Sequence, residues 1–233
     1  MSLITTRSSV IKKLALFTLL PTIILLTTSI ISTGKDGLKI GKKLPLSSEK
    51  MTGTDSEQYS LNELAGENGI ILVFSCNTCP FVIGRENFEG WEKQYNTLSD
   101  LATTKGIRFV LINSNEGKRN GADSMEKMKQ HATNANYSMP YLMDANNKLA
   151  DACGAKTTPH VFMFDSRDRL VYKGSIDNSW DTKRASLEKY LEIAIENLAQ
   201  KKKIKDNSTP PRGCSIKRKN NQTNKHILDS MHH

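Results

Sequence analysis

The run "GIILVF", Gly69 to Phe74, leads straight into Ser75, Cys76, Asn77, Thr78, Cys79 and Pro80, and this junction constrains the chain more than any other stretch. An uncharged run without alternation suits a strand buried on both faces, which needs packed layers above and below it. The cysteine pair therefore falls at the end of a central strand, in the kind of connection where functional residues concentrate.

The segments around it supply those layers. Phe88, Trp91, Tyr95, Leu98 and Leu101 recur at helical spacing and predict one amphipathic helix after the cysteines. "GIRFVLIN" (106–113) reads as a second buried strand, and "DSMEKMKQHAT" as a helix starting at Asp123, with Glu126 following at capping-box spacing. "MPYLMD" is a short extended piece, "NNKLADACG" a short helix stopped by Gly154, and "HVFMFD" with "LVYKGSI" a hairpin across "SRDR". Leu187, Tyr190, Leu191, Ala194, Ile195 and Leu198 mark a final helix. This order predicts an α/β fold, a central mixed β-sheet flanked by helices on both faces.

Both ends differ from this middle. Arg7, Lys12 and Lys13 precede the uncharged run Leu14 to Ile31, so residues 1–34 read as a signal peptide or membrane anchor. Either reading exports the rest, making it periplasmic, extracellular or membrane-anchored. The net charge is +9, but residues 1–34 hold +3 and residues 201–233 hold +7, leaving −1 for residues 35–200. A nearly neutral domain whose basic tail has no interleaved aromatics argues against nucleic acid as a partner. Residues 201–233 read as a basic, partly disordered extension, and residues 35–200 as the folded domain.

At a helix start, the Cys76 sulfur would face backbone N–H groups that favour thiolate, making it the nucleophile, while Cys79, one turn in, would resolve the mixed disulfide. A zinc site needs four ligands, and no second pair of matching spacing is present. Haem attachment needs His where Pro80 stands. A structural disulfide remains open, while a redox-active pair needing no metal and no cofactor is favoured. Cys153 reads as a small buried apolar residue. Cys214, between Gly213 and Ser215, is with Cys153 a candidate auxiliary redox thiol.

The motifs "LVFSCNTCPF", "LINSNE", "LADACGAKTTPHVFMFD", "LVYKGSIDN" and "PRGCSIK" occur in this order over about residues 38–220. Together they resemble the thioredoxin fold, and more closely the peroxiredoxin-like and thioredoxin-like proteins of the alkyl hydroperoxide reductase/thiol-specific antioxidant (redoxin) superfamily. The resemblance implies a thioredoxin-like fold and a thiol–disulfide oxidoreductase, with protein or small-molecule disulfides and thiols as substrates and an electron-donor protein as partner. It also implies that Thr158-Pro159 is cis and lies against the cysteines, where the preceding backbone pairs with an extended substrate chain. His160 is expected as a hydrogen-bonded strand-start residue.

The departures are specific. Ile70 stands where thioredoxins have an acid, Ser75 where they have tryptophan, and Asn77-Thr78 form the central dipeptide, so proton handling is expected to differ, through Glu116 or through water. The peroxidase pattern Pro-x-x-x-Thr/Ser-x-x-Cys is unmet. Counting back from Cys79 gives Cys76 and Leu72, and counting back from Cys76 gives Val73. The alternatives carried forward are a peroxiredoxin-like thiol peroxidase acting as an antioxidant and a non-catalytic redox-sensing or binding module.

Overall fold

The computed structural model describes Met1 and residues 37–219; the apolar run 14–31 and the final residues 220–233 lie outside the described residues. In chain order the elements are β1 (Met51–Gly53), β2 (Gln58–Tyr59), α1 (Leu61–Leu64), β3 (Gly69–Ser75), α2 (Pro80–Ile83), α3 (Glu92–Thr104), β4 (Ile107–Asn113), α4 (Met125–Asn134), β5 (Tyr141–Met143), α5 (Lys148–Cys153), β6 (Thr157–Thr158), β7 (His160–Asp165), β8 (Leu170–Gly174), α6 (Tyr190–Ala199) and β9 (Cys214–Ser215).

The main sheet has the order β2-β1-β5-β4-β3-β7-β8. Strands β3, β4 and β5 run parallel, while β7 pairs antiparallel with β3, β8 with β7, and β1 with β5. This is the mixed sheet that the alternation of elements predicted.

Every residue of β3 is buried, and its side chains divide by parity between two layers. Ile71 and Val73 join Phe109, Leu111, Val161 and Met163 beneath residues of α3 and α6. Ile70, Leu72 and Phe74 join Val110, Ile112, Phe162 and Phe164 against residues of α1 and α5. Each such side chain contributes roughly 1.5–3 kcal/mol on burial, so β3 is stabilised from both sides. Its C-terminal end is thereby held in place, and that end carries the cysteines.

Four expectations change. The helix after the cysteines is broken: α2 is a single turn, and Phe88 and Trp91 precede α3 instead of lying within it. Gly84 and Gly90, at φ 101° and 83°, turn the chain between the helices, and a Cβ on Gly90 would lie 2.3 Å from the Val82 carbonyl oxygen. Helix α4 is capped by Ser124, whose hydroxyl accepts the Lys127 N–H at 3.3 Å, and Asp123 turns inward, fully buried. Leu187 is half-exposed and precedes α6.

The expected boundary at residue 200 falls inside the folded unit. Lys173 N–H donates to Asn207 C=O at 3.0 Å, Thr209 N–H to Lys173 C=O at 3.0 Å, and β9 pairs antiparallel with β6. Ile216 is buried, and Arg218 forms an ion pair with Asp151 at 2.7 Å. Composition pointed to solvent, but a few apolar and β-forming residues among the charges suffice to hold 201–219 on the sheet.

Candidate active site

Pro80 decides where the cysteines sit relative to the helix. A residue preceding proline is excluded from helical backbone, and proline itself is favoured at the first helical position. Accordingly Cys79 is extended, with φ −73° and ψ 123°, and flanks α2, which begins at Pro80. This corrects the expectation that Cys76 opens the helix and Cys79 lies one turn in.

Asn77 pins the loop between them. Its backbone N–H donates to Asp123 Oδ1 at 3.0 Å and its Nδ2 to Ala122 C=O at 2.8 Å, while it accepts the Tyr141 hydroxyl at 2.9 Å. Asp123 also accepts from Asn113 Nδ2 at 2.8 Å and Asn115 Nδ2 at 3.0 Å. One buried carboxylate thus ties the cysteine loop to the end of β4. On the other side, the Ser75 and Tyr95 hydroxyls hydrogen-bond at 3.0 Å.

Both sulfurs are nearly covered, each residue being 3% exposed. Cys76 Sγ lies 3.3 Å from the Thr158 hydroxyl, and Cys79 Sγ–H donates to Thr158 C=O at 2.9 Å. The Thr158-Pro159 bond is cis, as the resemblance implies, and Thr158 contacts both cysteine sulfurs.

The two thiols titrate in opposite directions. Cys76 hydrogen-bonds to Cys79, and the Cys214 thiol and its N–H at 3.4 Å also face the Cys79 sulfur. Led by the Cys76 contact, these donors bring the Cys79 pKa down to about 5 against the opposing effect of burial. Cys76 is pushed up, first by the proton it supplies to Cys79 and then by burial. In the reduced, protonated site Cys79 is the donor to Thr158 C=O, and on ionisation it becomes the acceptor of the remaining donors.

Cys214 lies on β9, opposite Thr158 in the strand register, with Ser215 opposite Thr157. Its thiol is held up at about 11, by burial and then by Cys79. Cys153 is elsewhere: fully buried in the opposite layer, it is raised by burial and is not brought to the other three cysteines' cluster. All four cysteines are free thiols.

His160 opens β7 and accepts the Lys156 N–H on Nδ1 at 3.2 Å; burial, then Lys173 and Lys156, depress it to about 3, so it is neutral. Glu116 pairs with Arg119 at 3.4 Å and accepts the Asn146 N–H at 3.2 Å. The acid nearest the cysteine loop is Asp123, which the sequence pattern presented as a helix start. A pocket of ≈ 320 Å³ is lined by Cys153, Lys156, His160, Phe162, Lys173 and Thr209. Phe162 and Cys153 belong to the layer opposite Cys76 and Cys79, so this pocket is separate from the sulfur chemistry. Among the described residues, no cluster of three or more His, Cys, Asp and Glu side chains has metal-holding geometry.

The family model of redoxins matches residues 39–191, spanning the cysteine pair and Thr158-Pro159. The chain belongs to the redoxin family. It is similar to the crystal structure of an uncharacterized conserved protein from Geobacillus kaustophilus, with 29% identity over 78% of this chain and 93% of that one and a TM-score of 0.69. A hypothetical protein from Sinorhizobium meliloti 1021 shares the fold at 24% identity, with 78% and 96% of the chains covered and a TM-score of 0.69. A thioredoxin-like protein solved in the oxidized form does so at 15% identity, with 71% and 99% covered and a TM-score of 0.50. No curated protein matches this chain. The redoxin thus has a thioredoxin-like α/β fold and belongs to a family of thiol redox function. The family match ends before β9, so Cys214 lies beyond it.

Proposed function

We propose that this redoxin is an exported thiol–disulfide oxidoreductase in which Cys79 attacks and Cys76 resolves, reversing the roles expected from the sequence. The observation that carries the reading is the convergence of donors on the Cys79 sulfur, which favours thiolate there at neutral pH. The Cys79 thiolate attacks one sulfur of a substrate disulfide, forming a mixed disulfide and expelling the second sulfur as thiolate. That leaving thiolate takes the Cys76 proton, and Cys76 then attacks Cys79 Sγ. This expels the first substrate sulfur as thiolate, which takes a proton from water, so the substrate ends as two thiols and the protein as a Cys76–Cys79 disulfide. An electron-donor dithiol restores the reduced pair. The Thr158 hydroxyl faces Cys76, the sulfur that holds the proton. The run 14–31 and the cations before it support export.

The test is disulfide reduction in single turnover on an insulin-type substrate. With Cys214 also replaced by serine, Cys76→Ser should accumulate a mixed disulfide on Cys79, and Cys79→Ser should form none. A mixed disulfide trapped on Cys76 in Cys79→Ser would return the roles to the sequence expectation. One observation favours a peroxidase as the second reading: Cys76 occupies the position where the peroxidase pattern has Thr or Ser and hydrogen-bonds to Cys79, as a hydroxyl would. Rapid stoichiometric peroxide consumption without a disulfide substrate would select that reading.

A further inference from the structure

The edge of β6 is the surface on which this fold would seat an extended substrate, because Thr158 precedes the cis-proline and touches both sulfurs. In this protein the edge is already paired. Strand β9 lies antiparallel on it, in the register Thr158 with Cys214 and Thr157 with Ser215. Cys214 N–H points at Cys79 Sγ at 3.4 Å, and the two thiols also hydrogen-bond to each other. A cysteine on an extended strand, docked beside the thiolate, is the arrangement an attacked substrate cysteine must adopt.

The docking is specific to this segment. Gly213 passes so close to the Thr158-Pro159 peptide that a Cβ there would lie 2.1 Å from Thr158 O. Downstream, Ile216 N–H donates to Lys156 C=O at 3.1 Å, and Lys217 N–H to Asn115 Oδ1 at 2.8 Å. Upstream, the Arg212 guanidinium covers the Trp180 ring at 4.1 Å. Anchors on both sides hold Cys214 against Cys79.

Resting on the dithiol reading above, we propose that Cys214 is a third redox thiol, carried by β9 as an internal substrate and receiving the disulfide from the Cys76–Cys79 pair. The Cys214 thiolate attacks Cys79 Sγ, the Cys76–Cys79 bond breaks, the Cys79–Cys214 bond forms, and Cys76 leaves as thiolate. One disulfide is exchanged for another and one thiolate for another, so the step needs no external oxidant. In the reduced site the Cys79 charge helps keep Cys214 protonated, and once Cys79 is in a disulfide that charge is gone. The transfer is thus favoured when there is a disulfide to move. It also carries the disulfide from a buried pair to the partly exposed Cys214, within reach of a reducing dithiol. An external chain seeking the Thr158 edge must displace β9, so the same strand gates entry.

The experiment treats the full chain with one equivalent of a small disulfide oxidant, quenches with acid and maps disulfides by mass spectrometry. Wild type should yield Cys76–Cys79 and Cys79–Cys214 peptides, and Cys76→Ser should yield Cys79–Cys214 almost alone. Gly213→Ala should lose the Cys79–Cys214 peptide while keeping Cys76–Cys79, and its Cys79 should be alkylated faster than in wild type. Cys214→Ser, nearly isosteric and still a donor toward Cys79, should form Cys76–Cys79 but lose speed in multiple turnovers. The proposal is overturned if Cys76→Ser leaves Cys214 free and ends as a mixed disulfide with the oxidant, or if Cys214→Ser turns over like wild type. Absence of any Cys76–Cys79 peptide in Cys214→Ser would instead defeat the dithiol reading itself.

Discussion

Cys79 and Cys153 are both buried thiols, one in each layer of the same sheet, and their acidities diverge. Around Cys153 burial acts almost alone and raises its pKa. Around Cys79 the same penalty is present, but the Cys76 thiol, the Cys214 thiol and the Cys214 N–H converge on the sulfur and reverse it. Burial therefore does not by itself set a thiol's acidity in this protein; the donors around it do.

The largest test of that contrast is substitution of each sulfur. Cys79→Ser should lower disulfide reduction by at least about 1000-fold, because a serine hydroxyl supplies no thiolate. Cys153→Ala should leave the rate within about twofold and cost ~1 kcal/mol in thermal unfolding. Equal losses from the two substitutions would erase the distinction.

A pH profile sharpens it further. Alkylation of Cys79 by iodoacetamide should rise through a midpoint near pH 5 and stay flat to neutrality, whereas Cys153 should react only in strong base. The sign follows from the thiolate being the reactive form, so a lowered pKa moves the rise to lower pH. Cys76→Ala removes the leading donor and should move the Cys79 midpoint up by about one pH unit or more.

Asp123→Asn attacks the support of the Cys79 side. The amide would turn an N–H group toward donors from Asn77, Asn113 and Asn115, costing roughly 3 kcal/mol in denaturant unfolding and slowing exchange. Thr158→Val keeps the backbone and removes the hydroxyl 3.3 Å from Cys76 Sγ. About 1 kcal/mol, or some fivefold in rate, is expected, read as slower resolution of the mixed disulfide. Loss of the first attack instead would mean that Thr158 serves Cys79.

Much of the frame was legible because two-sided burial leaves a continuous apolar run, as in β3 and β4, and a helix face leaves a three-and-four spacing, as in α3. The same signals misplaced the ends of elements. Phe88 and Trp91 fit the α3 stripe yet pack from a loop, because two glycines at positive φ let the chain turn back onto Phe81. Asp123 fits a capping pattern and instead binds the cysteine loop, since a short polar side chain serves either purpose and the sequence does not say which way it turns.

The sequence alone determined the α/β class and the central strand that leads into Cys76. These follow from local sterics and from patterns that repeat along the chain. Only the tertiary structure decided which donors face each sulfur, which acid holds the loop, and that Cys214, separated from Cys79 by 135 residues, joins the cluster. Those outcomes depend on donors and acceptors brought together from distant segments. Hydrogen bonds and desolvation act over a few ångströms of space, whatever the distance along the chain.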